Sequence, residues 1–299
     1  MNLSRVTRLA RPRTVIGTAA VGLAAALAAI SLQVSSAQAA PAAGSAGAAG
    51  SAGAAGAKPV VVLEHGAWAD ATSWDGVISR LTRAGYTVYA PPNPLRGMSS
   101  DAAYLHDFLT ANPALAGRPV ILVGHSYGGA VITNAAVGDP AVKALVYVDA
   151  FIPDKGQTVA GLLGKVPGSC IGGNPATTFL PVPYPGAPAG SADLYLQPQE
   201  FPGCFASGLP ASQAAVLAAT QRPLAAAAVA EPSGKPAWKT IPSWTVVGTG
   251  DKVIPPAELL AMAKHAGAHV TKVNAGHLSL VSAPGAVAAV IMRAAAAVS

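Results

Sequence analysis

From residue 58 onward the chain alternates short apolar runs, most of them β-branched, with longer segments in which apolar positions recur every three or four residues. The apolar runs fall at 60–63, 87–90, 120–123, 144–148, 243–247 and 270–273. Runs of this length, with little polar alternation and turn residues at their ends, predict strands buried on both faces, as in a parallel sheet covered by helices. Helical spacing is predicted between them over 73–84, 101–112, 127–137, 256–265 and 286–298. The order of elements predicts a three-layer α/β fold with a mostly parallel sheet, its core formed by 58–150 and 237–299.

The alternation stops over 151–236, a stretch rich in Pro and Gly that holds both cysteines and one helical piece at 211–229. It leaves the core directly after Asp149, at the carboxyl end of the fourth strand. Ligands of open α/β sheets bind beyond those strand ends, so the insertion is predicted to form a cap over the crevice.

The amino end follows another pattern. Residues 1–13 carry Arg5, Arg8, Arg11 and Arg13 with no acid, 15–32 are uncharged and mostly apolar, and Ala37-Gln38-Ala39 has the small-x-small form of a cleavage site. This predicts an export signal over 1–39, a secreted protein, and no stable membrane association once the signal is removed. The Ala/Gly/Ser-rich stretch over 40–57 has no large side chain to bury and is predicted to be a flexible linker.

Composition excludes several functional classes. The 299 residues are 52% hydrophobic and only 11% charged, too apolar for a disordered tail or a nucleic-acid-binding arm. The net charge of +6 is largely the signal's: without its four arginines, 15 basic residues face 13 acids, a net +2 that leaves nucleic acid without support as a partner. In an oxidising compartment Cys170 and Cys204 are expected to form a disulfide, the alternative being two buried thiols. Two thiolates with no neighbouring His do not make a metal site, and His265 and His269 lack the Glu of a zinc-protease helix. Neither a metal nor a cofactor is expected.

The candidate chemistry begins at Gly124-His125-Ser126-Tyr127-Gly128, which follows a predicted strand and opens a predicted helix. That context makes Ser126 a candidate nucleophile, presented on a tight turn at the sheet's carboxyl edge. An acyl-transfer oxyanion needs two donors already aimed at it. The backbone N–H of Tyr127 is one candidate, and that of Ala67, in Glu64-His65-Gly66-Ala67-Trp68 after the first strand, is the other. Trp68 and Phe151 are candidate substrate-binding residues, although Trp68 would serve equally as a core plug. A serine hydroxyl also needs a base. Among six histidines, His277 alone lies in a loop after the last strand, and Asp251 follows the strand before it. The order Ser126, Asp251, His277 suits a nucleophile, an orienting acid and a base on this kind of sheet. Asp149 is the rival acid.

These stretches resemble the α/β-hydrolase superfamily, and within it the small methylesterase and hydroxynitrile-lyase group. The similarity lies in His65-Gly66-Ala67-Trp68 with Trp74 downstream, in Gly124-His125-Ser126-Tyr127-Gly128-Gly129, in Gly250-Asp251-Lys252-Val253-Ile254-Pro255, and in Gly276-His277-Leu278 running on to Pro284. The resemblance implies a Ser-His-Asp triad. Hydroxynitrile lyases of the group carry Thr where Gly66 stands and Lys where Leu278 stands, so the departures favour the esterase branch. The expected activity is therefore a secreted serine hydrolase acting on small-molecule carboxylic esters, with a hydrophobic moiety implied by Phe151, Leu162, Leu163, Phe179, Leu194, Phe201 and Phe205. An acyltransferase or lactonase would use the same residues, and a ligand-binding protein without turnover is the reading from outside enzymology.

Overall fold

A computed structural model of the chain describes residues 58–298. The predicted export signal and linker lie outside the described residues. The first half of the core runs β1 (Val60–Glu64), α1 (Asp75–Arg83), β2 (Val88–Tyr89), α2 (Met98–Ala111), β3 (Val120–His125), α3 (Tyr127–Ala135) and β4 (Val142–Val148). The inserted segment follows with α4 (Val159–Leu163), α5 (Pro175–Thr178), β5 (Phe179–Val182), β6 (Asp193–Leu196), α6 (Ala211–Thr220), β7 (Leu224–Ala225) and α7 (Ala226–Ala230). The core resumes with β8 (Ser243–Gly248), α8 (Pro256–His265), β9 (His269–Val273), α9 (Ser279–Ser282) and α10 (Pro284–Ala297).

Six strands pair in parallel in the order β2-β1-β3-β4-β8-β9. Val60, Val61, Val62 and Leu63 of β1 are all fully buried, so neighbouring residues that point to opposite faces both meet apolar cover. Each such side chain contributes about 1.5–3 kcal/mol of burial energy. Helix α3 packs against β1, β3 and β4, and α10 against β3, β4 and β8. The chain moves outward from β1 to the edge strand β2, then returns to β3 on the other side of β1. At such a reversal the loops leaving two neighbouring strands diverge, and a crevice opens between the carboxyl ends of β1 and β3.

The insertion differs from its sequence reading in one element. The single helix predicted over 211–229 is two helices, α6 and α7, separated by β7. Pro223 explains the break: it has no N–H to continue a helix and holds the residue before it extended. The strand β7 joins β5 and β6 in an antiparallel sheet of order β5-β6-β7, which the apolar pattern did not predict. A disulfide joins Cys170 to Cys204 across the insertion.

Candidate active site

Between β3 and α3 the backbone turns sharply at Ser126, whose φ of 53° and ψ of −123° lie in a region that costs a non-glycine residue about 1–3 kcal/mol. Close approach leaves no alternative path. A Cβ on Gly128 would lie 2.7 Å from the Glu64 carbonyl oxygen at the end of β1. The turn is also stitched to β4, since the Ser126 N–H donates to the Val148 carbonyl at 3.3 Å and the Phe151 N–H to the Ser126 carbonyl at 3.1 Å. Ser126 thus stands at the amino end of α3, where the helix dipole favours negative charge.

The loop after β1 presses against this turn. A Cβ on Gly66 would sit 2.7 Å from the Ser126 Cβ and 3.2 Å from the Tyr127 nitrogen, so only glycine lets the two segments touch. Neither the Ala67 N–H nor the Tyr127 N–H has an acceptor among the described residues. His65 holds the loop from beneath: its Nε2 accepts the Asn93 N–H at 2.9 Å, which leaves Nδ1–H to donate to the Gly66 carbonyl at 2.9 Å. Burial lowers the imidazole of His65 to about 4 and keeps it neutral in that arrangement.

Ser126, His277 and Asp251 come together in one chain of hydrogen bonds. His277 Nε2 lies 2.9 Å from Ser126 Oγ, and His277 Nδ1 lies 2.8 Å from Asp251 Oδ2. All three are buried, with Ser126 at 2% exposure, Asp251 at 4% and His277 at 0%. The second oxygen of Asp251 accepts the N–H groups of Val253 at 2.8 Å and Ile254 at 3.0 Å, which fixes the carboxylate plane. Burial pushes Asp251 above the usual carboxylate range against those two N–H groups, which favour its anion. Burial also lowers His277 to about 3, so the ring is a neutral acceptor in the resting site. The ring is flanked by Phe205 at 5.3 Å and by His125 at 4.8 Å, and His125 Nε2 meets the His277 carbonyl at 3.0 Å.

The rival acid takes a different place. Asp149 accepts the Gly248 N–H at 2.6 Å through one oxygen and the Ser279 hydroxyl through the other. It therefore ties the end of β8 to the segment just past His277 and makes no hydrogen bond to the imidazole. Burial raises it well above the carboxylate range, and the nearby Asp251 adds to the shift.

Beside Ser126 a cavity of about 160 Å³ is lined by Ala67, Trp68, Phe151, Leu163, Phe179 and Leu194 among others. Of the apolar cap residues singled out in the sequence, Leu162, Phe201 and Phe205 are instead packed inside the protein at 0–1% exposure. A larger groove of about 420 Å³, lined by residues that include Met98, His106 and Asn134, holds no member of the Ser126 cluster. The role of Phe205 had no signal in the sequence: it reaches His277 only through the fold of the insertion.

Fold and site together define an α/β hydrolase. The chain belongs to the alpha/beta hydrolase family, whose pattern it matches over residues 60–290. It is 36% identical over 113 residues to a carbendazim-hydrolysing esterase of Nocardioides sp. (strain SG-4G), which is 35% of this chain and 47% of that protein. It is 32% identical over 114 residues to an alpha-hydroxynitrile lyase of Arabidopsis thaliana, covering 35% of this chain and 44% of the relative. The chain thus spans somewhat under half the length of these curated relatives. A solved methylesterase from Arabidopsis superposes with a TM-score of 0.64 at 18% identity, covering 79% of this chain and 99% of that one, a likeness of fold.

Proposed function

We propose that this protein is a serine hydrolase that cleaves carboxylic esters of hydrophobic small molecules through an acyl-enzyme. The observation that carries the reading is the hydrogen-bond chain from Ser126 through His277 to Asp251. Ser126 Oγ attacks the ester carbonyl carbon while His277 Nε2 takes its proton. The tetrahedral oxyanion lies against the N–H groups of Ala67 and Tyr127. On collapse the carbon–oxygen bond to the alcohol breaks and His277 returns its proton to that alcohol. Water, activated by the same imidazole, then frees the acid and restores Ser126. Asp251 holds the ring's tautomer and stabilises its cation without taking the proton itself.

The cavity supports a neutral, apolar group beside the scissile bond, because its named lining offers no charged side chain to partner an ion. The packing at residue 66 favours hydrolysis over cyanohydrin cleavage, since the Thr of the lyases would place its Cβ 2.7 Å from that of Ser126. Of the two curated relatives, one is named an esterase and the other a hydroxynitrile lyase, so the packing at residue 66 carries this choice. Export of the protein belongs to the same reading and is supported by the charge and hydropathy pattern of residues 1–39.

Kinetics of variants on p-nitrophenyl butyrate test the reading. Ser126→Ala and His277→Ala are each expected to lower kcat at least about a thousandfold, and Asp251→Asn somewhat less. Retained turnover in Ser126→Ala contradicts it. A silent Asp251→Asn beside an inactive Asp149→Asn would move the acid's role to Asp149.

A further inference from the structure

Neighbouring residues of one cap strand reach both segments that carry the proposed oxyanion donors. The first contact runs through Trp68. Its φ of 56° is rare for a bulky side chain and persists only where the surroundings over-determine it. Here the Trp68 Nε1–H donates to the Leu194 carbonyl of β6 at 2.8 Å, and the Trp68 N–H donates to the Arg222 carbonyl at 2.8 Å. The indole stacks on Phe179 of β5 at 5.8 Å and meets Phe205 edge-on at 5.7 Å. The Ala67 amide lies one residue upstream of this anchored side chain.

The second contact starts at Asp193, next to Leu194 on β6. Its carboxylate pairs with the Arg96 guanidinium. The Arg96 N–H donates to both oxygens of the buried Asp101, at 3.0 and 3.1 Å. Asp101 in turn accepts the Tyr127 hydroxyl at 2.9 Å, and Tyr127 bears the other amide.

We propose that Asp193 and Leu194 of the cap position the oxyanion hole, through Trp68 on the Ala67 side and through Arg96 and Asp101 on the Tyr127 side. This assignment rests on the serine-hydrolase reading. It makes the docked cap part of transition-state stabilisation rather than only a wall of the pocket, and Trp68 a positioning residue as well as a lining one. Donors aimed in advance contribute most where charge develops, so a loosened anchor acts on kcat before KM.

The test uses the whole protein with Trp68→Phe, which keeps an aromatic ring and removes the indole N–H, and Asp193→Asn, which removes the charge. On p-nitrophenyl butyrate, Trp68→Phe is expected to lower kcat about tenfold and Asp193→Asn about threefold, with KM within about twofold. Affinity for phenylboronic acid, a mimic of the tetrahedral adduct, should fall by the same factor as kcat/KM. Three results overturn the proposal: unchanged kinetics; a higher KM with kcat kept, the mark of a residue that only lines the pocket; or a lower Tm with kcat kept. If Trp68→Phe does not fold, Phe179→Leu, which loosens the stack, is read by the same criteria. Ser126→Ala run alongside separates the two readings. Turnover surviving there removes the serine-hydrolase reading itself, whereas its loss beside unaltered Trp68→Phe and Asp193→Asn kinetics removes only the positioning assignment.

Discussion

In the proposed mechanism His277 has to be neutral to take a proton from Ser126, and its full burial against Phe205 and His125 favours that state. An ordinary imidazole titrates near 6.5, and burial brings this one to about 3. The sign follows directly: protonation removes the acceptor, and protonation is displaced to lower pH. The acidic limb of kcat/KM is therefore expected below the usual imidazole range, with the Asp251 carboxylate 2.8 Å away opposing the shift, and a midpoint at or above about 6.5 contradicts this picture of the ring's surroundings. At this scale the sequence was informative where the constraint is local. Gly124, Ser126 and Gly128 belong to one turn between a strand and a helix, so their spacing carries the geometry. The choice between Asp251 and Asp149 is not local. Both end a strand of the sheet, and only the path of the loop after β8 turns Asp251 toward the imidazole and leaves Asp149 with Gly248 and Ser279.

Among the elements, β1, β3, β4 and β8 were legible because burial on both faces imposes continuous apolar runs, whereas the edge strands β2 and β9, predicted to be buried on both faces, are partly exposed because each pairs on one side only; the helix predicted over 256–265 coincides with α8. The insertion was less legible. Its strands are two to four residues long, and β5 contains Pro181, so neither alternation nor propensity separates them from loop. The disulfide compensates for this meagre secondary structure. It closes a segment of 34 residues, which stabilises the fold by about 3–4 kcal/mol in the chain-entropy model. Its neighbours reach the site from two sides: Ile171 lines the cavity, and Phe205 covers His277. The Cys170 N–H also donates to the Lys252 carbonyl, one residue past Asp251, at 2.8 Å. Replacing Cys170 and Cys204 by Ser is therefore expected to lower both Tm and kcat/KM. A melt and an esterase assay that both match the parent would show that the bridge supports neither.

For the whole molecule, the sheet's reversal between β1 and β3 sets where chemistry can occur, and the cap sets how much room remains. The cavity of about 160 Å³ is close to the roughly 150 Å³ that holds one benzene ring in an engineered apolar cavity of another protein. Across p-nitrophenyl esters graded by acyl length, kcat/KM is expected to peak at acetyl to butyryl and to fall for chains of about eight carbons or more. A maximum at long chains would mean that the acyl group lies elsewhere. The sequence predicted an inserted segment and where it leaves the core, but this volume depends on how Trp68, Phe151 and Phe179 pack across segments far apart in the chain.

Whether Ser126 is the nucleophile is tested by mass spectrometry of the intact protein after exposure to a serine-reactive phosphonate, followed by peptide mapping. One adduct per chain is expected, located on Ser126, absent in Ser126→Ala and formed far more slowly in His277→Ala. An adduct on another residue, or equal labelling of the parent and Ser126→Ala, would contradict it.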